Sequence, residues 1–86
     1  MLAALLLAAA TAPSERRTPQ AIWRSSCTYC HDNSKVGPPV PAGIDAQAVT
    51  LFVRKGAGAM PPFHPSEISD AELARLAAWL KAGMPR

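Results

Sequence analysis

The stretch Cys27-Thr28-Tyr29-Cys30-His31 constrains this chain more than any other. Two thiols stand three positions apart and a histidine follows the second directly, which is the attachment pattern of a c-type haem. The thiols add across the two vinyl groups of the porphyrin as thioethers. The histidine is then held beneath the ring, where its imidazole can bind iron. Both sulfurs and the ring nitrogen must face one planar ligand, so the backbone has to turn tightly, as a short helix with a bend at its end does. The chain has two cysteines, so the motif leaves no odd thiol.

At 86 residues the chain has room for one domain. A chain of this size buries little core unaided and needs a staple such as a metal, a disulfide or a cofactor. A haem is a large apolar disc, and burying it against Trp, Phe, Leu and Val side chains supplies the missing core. The formal charge is +3. Two haem propionates would offset much of it, and no basic helix interleaved with aromatics appears, so the pattern gives no support to nucleic-acid binding.

Residues 1–12 read as a signal peptide. Met1 to Ala10 is apolar throughout, matches a signal-peptide apolar region in length, and falls short of the ~20 residues that a membrane span needs. Ala8-Ala9-Ala10 and Ala10-Thr11-Ala12 both offer small-residue cleavage sites. The second places Pro13 directly after the cut, which favours the first. No Lys or Arg precedes the apolar run, so the amino terminus is its only charge unless the start lies upstream. Haem attachment to thiols takes place outside the cytoplasm, so the expected location is the periplasm. A leader left uncleaved would tether the chain to the membrane. Residues 13–86 then form the single domain.

Along that domain, Pro13 to Thr18 is a polar, flexible lead-in. Thr18 caps a first helix, Pro19 to Ser26, with proline in the favoured first position. Ala21, Ile22 and Ser25 form its packing face, and Trp23 either joins the core or lies towards the haem edge. Asp32 to Lys35 is turn-forming. Val36 to Gly43, rich in proline and glycine, is an extended loop that walls one side of the cofactor. Asp45 caps a middle helix, Ala46 to Lys55, with Ala48, Val49, Phe52 and Val53 on one face. Gly56 stops it. Ser69-Asp70-Ala71-Glu72 is a capping box ahead of a helix with Leu73, Leu76, Ala77 and Leu80 at helical spacing, and Trp79 extends that face. Ile68 and Leu73 can form a hydrophobic staple. No stretch alternates like a β-strand and nothing repeats.

A sixth iron ligand is expected from Met60. It lies well downstream of His31, so the chain can fold back over the other face of the ring. Glycines and prolines bracket it in a rigid loop, and its thioether is a soft ligand that pairs with histidine in c-type cytochromes. His64, four residues on, is the rival ligand. Met84, at the C-terminus, is a poor one.

Together these segments resemble the small class I cytochromes c. The resemblance rests on Cys27 to His31, on Gly56-Ala57-Gly58-Ala59-Met60-Pro61-Pro62-Phe63 as the methionine loop, and on the last helix, Ser69 to Gly83, with Trp79 followed by Leu80. It covers Pro19 to Gly83. It implies an all-α cytochrome c fold of three to four short helices, with proline- and glycine-rich loops wrapped around one covalently bound haem c. It makes Cys27 and Cys30 the attachment residues and His31 and Met60 the iron ligands. In Val36-Gly37-Pro38-Pro39 it implies a proline carbonyl that accepts a hydrogen bond from the ligand histidine, a role for which two prolines compete. The last helix is expected to cross the first, with Trp79 near Ala21 and Ile22.

The function this implies is one-electron transfer, not catalysis, because both axial positions are filled and no acid, base or nucleophile constellation stands elsewhere. The partners are redox proteins (a dehydrogenase, reductase or oxidase), met by a monomer or a small subunit. Lys35, Arg54, Lys55 and Lys81 either steer an acidic partner or are solvated surface. Three alternatives stand beside this. Without Met60 ligation, an open-site haem would bind gases or peroxide. A zinc module of Cys27, Cys30, His31 and His64 fits a tetrahedron poorly because Cys30 and His31 are adjacent. A thioredoxin-like dithiol needs a βαβ setting that the sequence lacks.

Overall fold

The computed structural model describes residues 17–32 and 36–86. The leader (1–12), most of the polar lead-in, and Asn33, Ser34 and Lys35 of the expected turn lie outside the described residues.

The first helix, α1 (Pro19–Ile22), begins as its sequence dictates. The Thr18 hydroxyl accepts the Ala21 N–H at 3.1 Å, and Pro19 occupies a position whose N–H would have no helical partner. The helix does not then continue in α geometry. It passes into a π-helical turn, Trp23–Cys27, before α2 (Thr28–His31). The Thr28 N–H reaches back to the Trp23 carbonyl, and the Thr28 hydroxyl donates to the Arg24 carbonyl at 2.9 Å. A π turn inserts one residue into the helical repeat and rotates everything after it about the axis. The expected bend is therefore inside the helix, immediately ahead of the second cysteine and the histidine, and Cys27 is its last residue.

The next helix, α3 (Ala46–Lys55), has the expected bounds. Asp45 Oδ2 accepts the Ala48 N–H at 3.1 Å, and Gly56 ends the helix at φ 72°. Its expected packing face divides. Val49 and Val53 are buried, whereas Phe52 stays 47% exposed and turns to the cavity described below. The last helix, α4 (Asp70–Lys81), carries both halves of the capping box. The Ser69 hydroxyl accepts the Glu72 N–H at 3.1 Å, and Glu72 Oε1 accepts the Ser69 N–H at 2.9 Å. Ile68 and Leu73, the staple pair, are both buried.

The core gathers Ile22 of α1, Val49 and Val53 of α3, Ile68, and Leu73, Leu76, Ala77 and Leu80 of α4. α4 packs against both α1 and α3, so the first and last helices are in contact. The ring that meets Trp79 is that of Trp23, edge to face at 6.1 Å between centroids. Among the described residues there is no strand, only an isolated antiparallel bridge between Ala57 and Met60. No helix among them is long and apolar enough to cross a membrane.

One expectation needs correction. The lead-in is not loose as far as Arg17. Its guanidinium forks onto the buried Glu72 carboxylate, with Nε on Oε2 at 2.8 Å and Nη2 on Oε1 at 3.0 Å, and Nη2 also donates to the Glu67 carbonyl at 2.7 Å. Glu72 is fully buried, and a buried carboxylate needs such a partner.

Candidate haem site

A cavity of about 290 Å³ opens between these elements. Cys27, Cys30 and His31 line it from one short stretch, and Met60 joins them from a segment far down the chain. Trp23 forms part of the wall beside the two cysteines. The loop Val36 to Pro41 forms another wall, Phe52 and Met60 with its neighbours a third, and Ile68, Leu76 and Leu80 supply the base. The lining is overwhelmingly apolar, which suits a flat hydrophobic ligand and not a free ion.

His31 is fixed in three ways. Its Nδ1 lies 2.7 Å from the Pro38 carbonyl, which can only accept, so Nδ1 is the donor, and in the neutral ring Nε2 is the nitrogen with the free lone pair. Of the two competing prolines, Pro38 has the role. Gly37 packs against the ring so closely that a Cβ there would lie 2.8 Å from Cε1 and Nδ1. The Gly37 N–H donates to the Cys30 carbonyl at 2.9 Å, which closes the loop onto α2. On the other flank Trp23 stacks with the imidazole, centroids 6.3 Å apart at 27°. Trp23 therefore serves both roles considered for it, packing on the core and facing the cofactor cavity.

The two cysteines are free thiols. Burial in apolar surroundings pushes the Cys27 thiol up to about 11. It is thus a neutral thiol at physiological pH, and such a group is slow in disulfide exchange.

Met60 sits in a two-residue hairpin. The Ala57 N–H donates to the Met60 carbonyl at 3.1 Å and the Met60 N–H returns to Ala57 at 2.9 Å, across Gly58 at φ 57° and Ala59. Gly56 is required behind it, because a Cβ there would meet the Met60 carbonyl oxygen at 2.5 Å. His64 is exposed and is not part of the cavity wall. The set Cys27, Cys30, His31 and His64 is accordingly not assembled. Among the described residues no three His, Cys, Asp or Glu side chains are grouped to hold a metal ion.

Arg54 also differs from its expected role as a steering charge. Its guanidinium is spent on the Phe63 and Ile68 carbonyls and on Asp70. Neither Arg54 nor Arg17 was legible as a contact in the sequence. Arg17 and Glu72 are separated by 55 positions, with no periodic signal to join them.

The residues present fit a covalent haem: two thiols at the attachment spacing, an imidazole whose Nδ1 is taken by Pro38 so that Nε2 is the nitrogen left for a metal, a thioether, and apolar walls. Comparison with known proteins agrees. Residues 14–80, well over half the chain, match the family model described as cytochrome c oxidase, cbb3-type, subunit III. A chain in the crystal structure of p-cresol methylhydroxylase with substrate bound superposes with a TM-score of 0.72 at 27% identity, covering 84% of this chain and 99% of that one. No curated protein matches the sequence. Motif, fold and family model converge: the chain belongs to the cytochrome c family, a family of electron-transfer proteins, and carries a covalently bound haem c with iron.

Proposed function

We propose that this chain is an exported single-electron carrier whose haem iron is ligated by His31 and Met60, and that Cys27 and Cys30 hold the haem through two thioethers. The observation that supports this best is that all four side chains line one apolar cavity. When bound, the haem supplies a one-electron couple between ferrous and ferric iron. The chain's own residues set how that couple behaves. Pro38 holds the His31 imidazole with Nε2 available to a metal. The Met60 thioether favours ferrous iron and raises the potential. The apolar wall acts in the same direction, because burying the extra positive charge of ferric haem costs free energy.

The cavity mouth is where electrons pass. Val36 is 64% exposed and Phe52 47%, and both line the cavity and rim its opening. A small apolar rim suits the brief, small-area encounters of redox proteins. The partner is a larger redox enzyme, an oxidase or dehydrogenase, consistent with the oxidase subunit named by the family model and with the methylhydroxylase to which the fold is similar. In this reading the chain is a carrier and has no chemistry of its own on a substrate. Residues 1–12 direct export to the periplasm and tether the chain only where they are retained.

The test is a visible spectrum of the full chain matured with haem-attachment machinery, oxidised and then reduced, followed by acid extraction. Haem retained in the acid-denatured chain, a weak sulfur-to-iron band in the oxidised form and no response to carbon monoxide are expected. Haem retained without the sulfur band, together with carbon monoxide binding to the reduced protein, would replace the carrier with an open-site haem protein.

A further inference from the structure

Met60 and His64 are both chemically able to complete the iron coordination, and only four positions separate them. Something in the fold has to decide between them. The segment that carries His64 is clamped at both of its ends by one side chain. Arg54 Nη1 donates to the Phe63 carbonyl at 3.1 Å and to the Ile68 carbonyl at 2.8 Å, and Nη2 donates to Asp70 Oδ1 at 2.6 Å. The guanidinium is four-fifths buried while Asp70 is largely exposed, so the two carbonyls, not the ion pair, account for where Arg54 sits. A further backbone bond, Phe63 N–H to the Val53 carbonyl at 2.7 Å, ties the near end to α3.

Between the clamped ends the chain forms a tight turn. The His64 carbonyl accepts the N–H groups of Glu67 and Ile68 at 2.8 and 3.0 Å, and its own N–H donates to Glu67 Oε1 at 2.9 Å. This turn leaves the His64 ring in solvent. A move of residues 63–68 off α3, the route by which His64 would approach the cavity, breaks the Arg54 bonds to both carbonyls.

We propose that Arg54 is the positioning residue that selects sulfur over nitrogen as the second iron ligand: by pinning Phe63 and Ile68 it keeps His64 off the cavity and leaves Met60 as the group that meets the haem. This rests on the reading of Met60 as a ligand. In the exchange only hydrogen bonds and one metal–ligand bond would change: the Met60 thioether would give way to the His64 imidazole.

The test uses the full haem-loaded chain and follows the sulfur-to-iron band and the reduction potential in wild type, Arg54→Met, His64→Ala and the double variant. Arg54→Met should lower the ratio of sulfur-ligated to misligated protein by about tenfold or more, the worth of one charge-assisted hydrogen bond, and lower the potential with it. Adding His64→Ala should restore the band, and His64→Ala alone should leave it unchanged. An Arg54→Met protein that keeps the band and the potential overturns the proposal, and so does a double variant that stays without the band. A wild-type protein without the band refutes Met60 ligation itself, a separate failure. If Arg54→Met does not load haem, Arg54→Gln carries the same comparison, because its shorter, uncharged side chain gives up the two charge-assisted carbonyl bonds while staying polar.

Discussion

The two sides of the haem cavity are built by different means. On the His31 side the parts are close in sequence: Trp23 stacks on the ring, Pro38 accepts its proton, and Gly37 lets the backbone close on it. The π turn between α1 and α2 supplies the rotation that aims them. On the Met60 side the hairpin itself is local, but residues 63–68 beyond it are held from α3 and α4 through Val53, Arg54 and Asp70. A side built from near neighbours needs only its own short stretch of chain to fold. A side built from distant ones depends on the packing of the whole chain, and is therefore the one that should yield first.

The largest expected effect comes from removing the covalent anchor that belongs to the His31 side alone. Cys27→Ala with Cys30→Ala should abolish covalent haem, and the chain should then lose cooperative folding, because the apolar cavity walls are left without the disc that fills them. Absorbance after acid extraction and a circular-dichroism melt read both effects. A stable, folded, haem-free variant would contradict the role of haem as core.

Next in size is the opposite truncation. Met60→Ala should keep haem attached yet lower the reduction potential by on the order of 0.1 V or more, a part of the roughly 0.8 V over which axial ligands tune haem. It should also let carbon monoxide bind the reduced protein. An unchanged potential in a potentiometric titration would remove Met60 from the iron.

Two glycines sharpen the comparison at a smaller scale. Gly37→Ala drives a methyl group into the His31 ring, and Gly56→Ala combines a positive φ with a clash on the Met60 carbonyl. Each should cost about 2 kcal/mol in denaturant unfolding of the haem-loaded protein. The spectra should separate them. Gly56→Ala should weaken the sulfur band, whereas Gly37→Ala should leave the band and disturb the histidine side. Loss of the band in both would mean that the two sides are not independent.

Legibility in the sequence divides in the same way. The cap of α3 by Asp45, the capping box of α4 and the staple Ile68–Leu73 were readable because each is settled within a few residues. So were the four cavity residues, through the attachment motif and the glycine- and proline-bracketed methionine. The π turn was not readable, since nothing in Trp23-Arg24-Ser25-Ser26-Cys27 distinguishes it from an α turn. The choice of Pro38 over Pro39 depends on where the loop closes on His31. Arg17 and Arg54 appeared as ordinary surface charges, because their partners are brought to them only by the fold.

An effect no larger than those of the two glycines concerns Arg17, which does not line the cavity. Its hydrogen bonds hold the Glu72 carboxyl below the ordinary carboxylate range, against burial that pushes it up. The unfolded chain therefore takes up this proton first as pH falls. The stability that the pair contributes is present above the ordinary carboxylate value and lost as pH drops through the depressed folded value. Arg17→Met should cost about 2 kcal/mol at neutral pH, since Arg17 is one-third exposed and its charge partly screened. The gap from wild type should narrow in acid. A gap that stays constant from neutral to acidic pH in thermal melts would show that the ion pair is not what Arg17 contributes.

X-ray absorption at the iron edge of the oxidised, haem-loaded protein tests the arrangement of the two sides most directly. Ligation by His31 and Met60 predicts one sulfur scatterer in the first shell with nitrogens at every other position. A shell of nitrogens alone would contradict it and return the second axial position to His64 or to an open site.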